Sequence, residues 1–290
     1  KKSDLTGSVV SVKAEEIIKV PVARVDQALQ GKIAGVSISN NKSQPGSDPT
    51  ILIRGANSIK GDNAPLIVVD GVLGVEMNMV NPNEIANVEV LKDASATAIY
   101  GSRGSNGVII ITTKTGSGGK TKFNFNSYYS ISNIAKKIDL MTAAEHAQAL
   151  RMYPDNGSDS WDWMQELATI YDNTHVDTDW QDVVFREAAP TKSYFLSASG
   201  GANNTTYSIS GSIYDQDGIV ESSGYSRQTL RMRLDHIVND KLSFGGNLYL
   251  GRSVQDNAKA DESGGSWGGS VTQSGLRFSP ILPIYDDEGN

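Results

Sequence analysis

N-V-E-V-L-K-D-A-S-A-T-A-I-Y-G-S-R-G-S-N-G-V-I-I-I-T-T-K, residues Asn87–Lys114, packs two apolar strands, a short helix and three glycines into 28 residues. Val88, Val90 and Leu91 read as a brief buried strand. Asp93 or Ser95 is placed to cap a helix over Ala94–Tyr100, which stops at Gly101 as helices often do. Gly101, Gly104 and Gly107 then turn the chain into Val108–Thr113, a run too apolar and β-branched for a half-exposed strand. The segment is a compact α/β unit whose exit strand leads straight into something of different character.

After Thr115–Lys120 the pattern changes to long alternating strands. Lys122–Ile134 puts Phe123, Phe125, Tyr129 and Ile131 on one face and Asn124, Asn126, Tyr128, Ser130 and Ser132 on the other. Ser193–Gly200, Thr206–Tyr214, Gln228–His236 and Leu242–Leu250 alternate in the same way, with Phe195 an exception on the polar side. Five strands of about ten residues, apolar outward and polar inward, match the lipid-out, lumen-in rule of membrane barrels. The connections alternate as well. Gly201–Thr205 and Asn239–Lys241 are short, whereas Ala135–Pro190 and Asp215–Arg227 are long, and barrels keep short turns on one side and long loops on the other. The first long connection carries two expected helices, one opening on a Thr142/Glu145 capping box and one bearing Trp161, Trp163, Met164 and Leu167. A soluble β-sandwich alternates equally well, but it has no need of the loop-length pattern.

Composition narrows the function classes. A net charge of −7 leaves no basic stripe for nucleic acid. With no cysteine there is neither a disulfide scaffold nor a thiolate metal site, and His146, His175 and His236 are too scattered for zinc. No run approaches the ~20 apolar residues of a membrane-spanning helix, which says nothing against a barrel.

The unit at Asn87–Lys114, taken with V-D-Q-A-L-Q-G-K-I-A-G-V (Val25–Val36), T-I-L-I-R-G (Thr50–Gly55) and P-L-I-V-V-D-G-V (Pro65–Val72), resembles the plug domain of TonB-dependent outer-membrane transporters, specifically the SusC/RagA-like family, in order and spacing. The resemblance implies an α+β plug domain over 1–118, followed over 119–290 by part of an antiparallel transmembrane β-barrel with its first five strands and extracellular loops. The complete family member is roughly 22-stranded. Because backbone groups in lipid must be paired, the remaining barrel strands are expected outside this chain. The implied function is TonB-dependent active import of an oligosaccharide or peptide across the outer membrane of a Bacteroidota-type cell, without enzymatic chemistry, cofactor or metal. The implied partners are a SusD-like lipoprotein, the TonB complex pulling on a segment before Lys1, a glycan or peptide ligand and outer-membrane lipid, with a dimer of SusC–SusD pairs as the assembly. Lys1–Lys19 is then expected to be the least protected part of the plug.

By the same resemblance Arg54, Asp70, Lys92, Asp93 and Arg103 fix the plug fold and its contact with the barrel wall. Substrate contact is expected instead from two outward plug loops, Asn57–Asn63 and Leu73–Val80. There Asn57, Lys60, Asp62, Asn63 and Asn78 offer hydrogen bonds to a polyhydroxylated or peptide ligand, with solvated loop tips as the competing reading. Trp161, Trp163, Trp180 and Trp267 are suited either to stacking on sugar rings or to packing of the loops. G-S-G-G-K-T at Gly116–Thr121 imitates a phosphate loop, but Lys114 stands where the first glycine belongs and a strand follows where a helix should. It reads as a flexible connector. Asp215–Gly218 and Asp286–Asn290 lack the spacing of a calcium loop. The alternative function is a secreted or surface glycan-binding β protein with a small α/β domain.

Overall fold

The computed structural model describes residues 9–18, 22, 24–40, 44–56, 58, 62–153, 159–258 and 270–285, without the side chains of 94 and 159–161. Asn57, Lys60, Trp267, Asp286–Asn290 and much of Lys1–Lys19 lie outside the described residues, as does the Trp161 side chain. The chain forms two compact units. The first comprises Lys1–Ser130, Thr191–Gln216 and Gly224–Gln255; the second comprises Ile131–Pro190, Asp217–Ser223 and Asp256–Asn290.

The first unit opens with β1 (Val9–Lys13), α1 (Ala14–Ile17), α2 (Val25–Leu29) and the paired strands β2 (Val36–Ser39) and β3 (Thr50–Ile53). Then come β4 (Leu66–Val69), β5 (Val72–Leu73), β6 (Ile85–Leu91), α3 (Ala94–Thr97) and β7 (Val108–Thr113). One sheet takes the order β1-β6-β7-β4-β5. Its centre, β7, is antiparallel to β6 and parallel to β4, and this central position is why V-I-I-I-T-T is apolar on both faces. Val12, Ile17, Val25, Leu29, Ile85, Val88, Val90, Ile109 and Ile111 close the core beneath it.

The helix expected over Ala94–Tyr100 is shorter. It is α-helical only through Thr97 and continues as 3₁₀ turns that kink at Gly101 (φ 62°). Asp93 occupies the N-cap position but makes no cap bond; its carboxylate pairs with the Arg54 guanidinium instead. The start at Ala94 also rules out Ser95 as the cap.

Five further strands, β8 (Gly119–Ser132), β9 (Ala189–Ala202), β10 (Thr205–Asp217), β11 (Gly224–Asn239) and β12 (Leu242–Asp256), form a second sheet in simple sequential order. Each is longer than the expected ten or so residues, because Gly-, Thr- and Ser-rich ends extend the ladder beyond the apolar band. As a result the connection between β10 and β11 shrinks to residues 218–223, against the expected Asp215–Arg227. Asn203 and Asn204 make the β9–β10 turn, both at positive φ, as a type I′ hairpin requires. Faces alternate as the sequence directs. Phe123, Phe125, Ile209, Leu234, Leu248 and Leu250 are exposed on one side, while Ser193, Ser210, Ser212, Arg227, Thr229 and Arg231 are buried on the other. Phe195, the exception, is buried among them.

The second unit is built from the connections β8–β9 and β10–β11 and from the chain after β12. α4 (Ala143–Met152) opens on the expected capping box of Thr142 and Glu145. α5 (Asp159–Thr174) packs on it around Ala143, Ala147, Leu150, Leu167, Ala168 and Ile281. Two short helices were not foreseen, α6 (Trp180–Val184) and α7 (Val271–Arg277). They meet at Gly275, where a Cβ would lie 2.9 Å from Val184 Cγ2.

Candidate functional site

The first unit contains a seam of buried charge between its α/β body and the inward face of β10–β12. Asp70 and Gly71 form the two-residue turn between β4 and β5, at φ 48° and 87°. Asp-Gly suits such a turn because both residues tolerate the left-handed region. The Asp70 backbone N–H donates to Ile111 O at 3.0 Å, which ties the turn to the central strand. Its carboxylate accepts from the Thr113 N–H at 2.9 Å and the Thr113 hydroxyl at 2.6 Å, both from within the body. From the strands it accepts the Arg231 guanidinium at 2.8 Å and the Asn247 amide at 3.3 Å, with Arg233 Nη1 at 3.8 Å. The Asp70 and Arg231 side chains are each only 3 % exposed. A buried pair is tolerable only when its remaining polar atoms are also satisfied, and here four hydrogen-bond donors and a second guanidinium converge on two oxygens.

Glu84 lies at the end of the 3₁₀ turn Pro82–Glu84, which Asn81 caps through the Asn83 N–H. Its Oε1 accepts from the Ser210 hydroxyl of β10 at 2.7 Å; its Oε2 is buried without a partner among the described residues. Burial pushes this carboxyl above the ordinary range, partly offset by the Ser210 hydrogen bond and by Arg231 and Arg227. Arg227 of β11, the largest fully buried side chain, donates to Asn78 O at 2.5 Å and sits 5.7 Å from the centre of the Tyr214 ring. Asn78 Oδ1, Tyr225 Oη and Tyr249 Oη also have no partner among the described residues. The seam is therefore polar and incompletely dry-packed. Lys114, leaving β7, donates from its amine to Asn83 O at 2.8 Å, and burial lowers its pKa.

A second staple joins the body's own loops. Buried Arg24 binds Asp26 at 2.7 Å, Asp48 at 2.8 Å and the carbonyls of Gly46 and Ser47. Gly46 in turn presses on Tyr225 of β11, where a Cβ would stand 2.2 Å from ring atom Cδ2. The connector read as flexible is close-packed at its start: a Cβ on Gly116 would lie 2.2 Å from Tyr207 O and 2.6 Å from Gly200 O. Its second half already belongs to β8.

Among the residues singled out in the sequence, Asp70 reaches the sheet. Arg54 and Asp93 pair with each other within the body, and Lys92 donates to Ala34 O. Arg103 is exposed and makes no ion pair among the described residues. The described loop residues, Asp62, Asn63 and Asn78, make separate contacts. Asn63 closes its own loop, accepting from Ser58 N and donating to Ser58 O, each at 2.8 Å. Asp62 holds the Ala64 N–H, and its carbonyl takes the Asn106 amide. Asn78 lies elsewhere, against Arg227. Glu84, Arg227, Arg231, Tyr225 and Tyr249 were not singled out. The one available signal was the Arg231/Arg233 pair on a strand face otherwise destined for burial. No group of three His, Asp or Glu side chains able to hold a metal occurs among the described residues.

Comparison with known proteins gives the context of this arrangement. A family model described as TonB-dependent Receptor Plug Domain matches residues 1–108. The chain is 41% identical over its whole length to TonB-dependent receptor P3 of Formosa agariphila, and spans 27% of that protein. It is 37% identical to TonB-dependent receptor SusC of Bacteroides thetaiotaomicron over 99% of this chain and 28% of the relative. Among solved structures, the RagAB peptide importer in its closed-closed state superposes with a TM-score of 0.82 at 28% identity, over 99% of this chain and 35% of that one. The siderophore receptor PirA of Acinetobacter baumannii shares the fold alone, with a TM-score of 0.56 at 17% identity, over 91% of this chain and 34% of that one.

Proposed function

The chain belongs to the SusC/RagA-like TonB-dependent receptors, whose plug and first barrel strands it supplies, and from that premise we propose that it is part of an outer-membrane importer. The division we adopt is 1–118 for the plug and 119–290 for the first five strands with their extracellular loops. The imported molecule is an oligosaccharide or a peptide, handed over by a SusD-like lipoprotein, and the energy comes from a TonB complex drawing on the chain's N-terminal side. No covalent step is assigned to it.

One observation carries this reading. The body meets the strands through charge and hydrogen bonds, at Asp70–Arg231–Asn247, Glu84–Ser210 and Arg227–Asn78, while its own core of Val, Ile and Leu is closed within itself. An apolar contact would have to be re-exposed to water if the plug moved. A polar seam exchanges its partners for water at small net free energy per bond, so a plug held this way seals at rest and yields to a directed pull. The supporting experiment is TonB-dependent uptake by cells carrying the full-length receptor. Uptake of the native nutrient should vanish when TonB is deleted, and a small hydrophilic antibiotic should leak in when Asp70 and Arg231 are both replaced by Ala. Uptake persisting without TonB sinks the reading.

A further inference from the structure

Three stretches remote in sequence, 137–142, 177–181 and 275–280, wall a cavity of about 530 Å³ in the second unit. Its walls are pinned to one another. The Gln181 amide accepts from Ile138 N at 2.9 Å and donates to Ile138 O at 2.7 Å. Thr178 N–H donates to Pro280 O at 2.9 Å, and the Thr178 hydroxyl to Leu282 O at 2.8 Å. The Trp180 indole N–H donates to Ser279 O at 2.9 Å, while the Ser279 hydroxyl meets His146 Nδ1 at 2.9 Å. Such mutual bracing builds the cavity before any ligand arrives, and pre-formed sites lose little on ordering.

The groups left over define what fits. Trp180 and Phe278 stand with ring centres 5.3 Å apart at 40°, and Phe278 is 53 % exposed, so an aromatic surface stays open at the mouth. Asp139 and Arg277 line the cavity and form no ion pair among the described residues. Asp177 uses one oxygen on the Ala143 N–H, and its other oxygen accepts no hydrogen bond among the described residues. Asp179 caps α6 through the Gln181 N–H, and Lys137 is already committed to Asp182 and Asp179.

We propose that this cavity binds one ring of a neutral saccharide, with Phe278 and Trp180 against its apolar C–H face and Asp139, Asp177 and Arg277 on its hydroxyls. Hydroxyls both donate and accept, so they satisfy carboxylates and a guanidinium at one site. Two available carboxylates, Asp139 and Asp177, against one available guanidinium disfavour acidic or sulfated sugars. An extended peptide is disfavoured for another reason. Peptides bind grooves chiefly through main-chain hydrogen bonds, and the wall's own backbone groups at Ile138, Thr178, Ser279, Pro280 and Leu282 are already paired. The proposal goes beyond the import reading, because it concerns binding by the second unit alone.

The test is isothermal titration of the full-length receptor, purified in detergent, with hexasaccharides of α-glucan, β-glucan and β-mannan. At least one should bind, and Phe278→Ala and Asp139→Asn should each weaken it tenfold or more. Asp139 is on the surface, so Asp139→Asn remains informative should Phe278→Ala loosen the contact between α6 and α7. No binding by any of the three sugars overturns the proposal, as does binding that both variants leave unchanged. So does a mixed hexapeptide whose affinity the two variants lower in place of the sugars'. Asp70→Asn separates this proposal from the import reading: it should leave saccharide binding intact while disturbing the seam.

Discussion

Asp70 is held in a left-handed conformation, yet it is the hub of the seam, and the two facts have one cause. The tight turn at Asp70–Gly71 aims the carboxylate away from β4, toward Thr113 on one side and Arg231 on the other. Asp and Asn visit this conformation more readily than other side chains, so Asp70→Asn keeps the turn and removes only the charge. Losing one member of a buried pair costs about 3 kcal/mol or more. The chain has no cysteine, so a cysteine replacing buried Val88 in a full-length receptor otherwise cysteine-free reports unfolding of the plug. Its labelling rate should rise about a hundredfold in the Asp70→Asn background, at about 1.4 kcal/mol per factor of ten; an unchanged rate would show that Arg231 finds another anchor. Glu84 makes the complementary prediction. Burial raises its folded-state pKa above the unfolded value, so the folded state prefers the protonated form. The stability it contributes is full below the ordinary carboxylate range and is lost as pH rises through the raised value. Glu84→Gln should therefore flatten the fall in plug stability as pH rises above the ordinary glutamate value of about 4.3, read by the same labelling rate at a series of pH values. A parallel fall in both proteins would contradict it. Asp70 was legible beforehand because it sits in a recognisable V-D-G turn. Glu84 was not, because a glutamate in a P-N-E loop looks like any solvated loop carboxylate until Ser210, 126 residues away, is placed against it.

The elements divide along the same line between local and distant causes. Alternation over β8–β12, the apolar run of β7 and the Thr142/Glu145 capping box are local signals, and each produced the element it announced. Strand length, the early end of α3, and helices α6 and α7 depend on partners. β9 and β10 extend to Ala202 and Thr205 because the Asn203–Asn204 turn closes so tightly. α6 and α7 are only a few residues long and survive by packing on one another at Gly275. Gly116 shows how far a local reading can miss. Surrounded by Ser, Gly and Lys, it reads as slack chain, yet it touches the backbone of β9 and β10. Gly116→Ala must push Tyr207 O and Gly200 O apart, and backbone in a ladder does not give cheaply. We expect a loss of at least ~2 kcal/mol, on the scale of overpacking. Gly118→Ala, where a Cβ meets nothing within 4 Å, should be nearly neutral. Urea titration of the full-length receptor compares the two, and equal midpoints would mean the connector relaxes as first read.

At the scale of the molecule, the outward faces of β8–β12 are the deciding surface. A soluble protein scatters its exposed apolar residues singly and seldom gathers them into a large continuous face. Here Phe125, Tyr194, Leu196, Ile213 and Leu250 line one continuous apolar groove across β8–β12, while the opposite face buries Arg227 and Arg231. That inversion, buried charge on one face and exposed apolar side chains on the other, is what hydrocarbon around the sheet demands. Adjacent residues of β8 then respond oppositely to one change. Phe125 is 65 % exposed on the outward face near the middle of the strand, and a lysine there at bilayer depth costs about 2–4 kcal/mol, diminishing toward either interface. Asn126 points the other way, in register with Tyr128, where a lysine meets polar side chains and water. In cells making the full-length receptor, Phe125→Lys should sharply reduce the fraction assembled in the outer membrane, scored as the band that migrates faster before boiling. Asn126→Lys should leave that fraction near the parent level. Equal tolerance of the two would place water on both sides of β8, and the sheet would then be no part of a membrane wall.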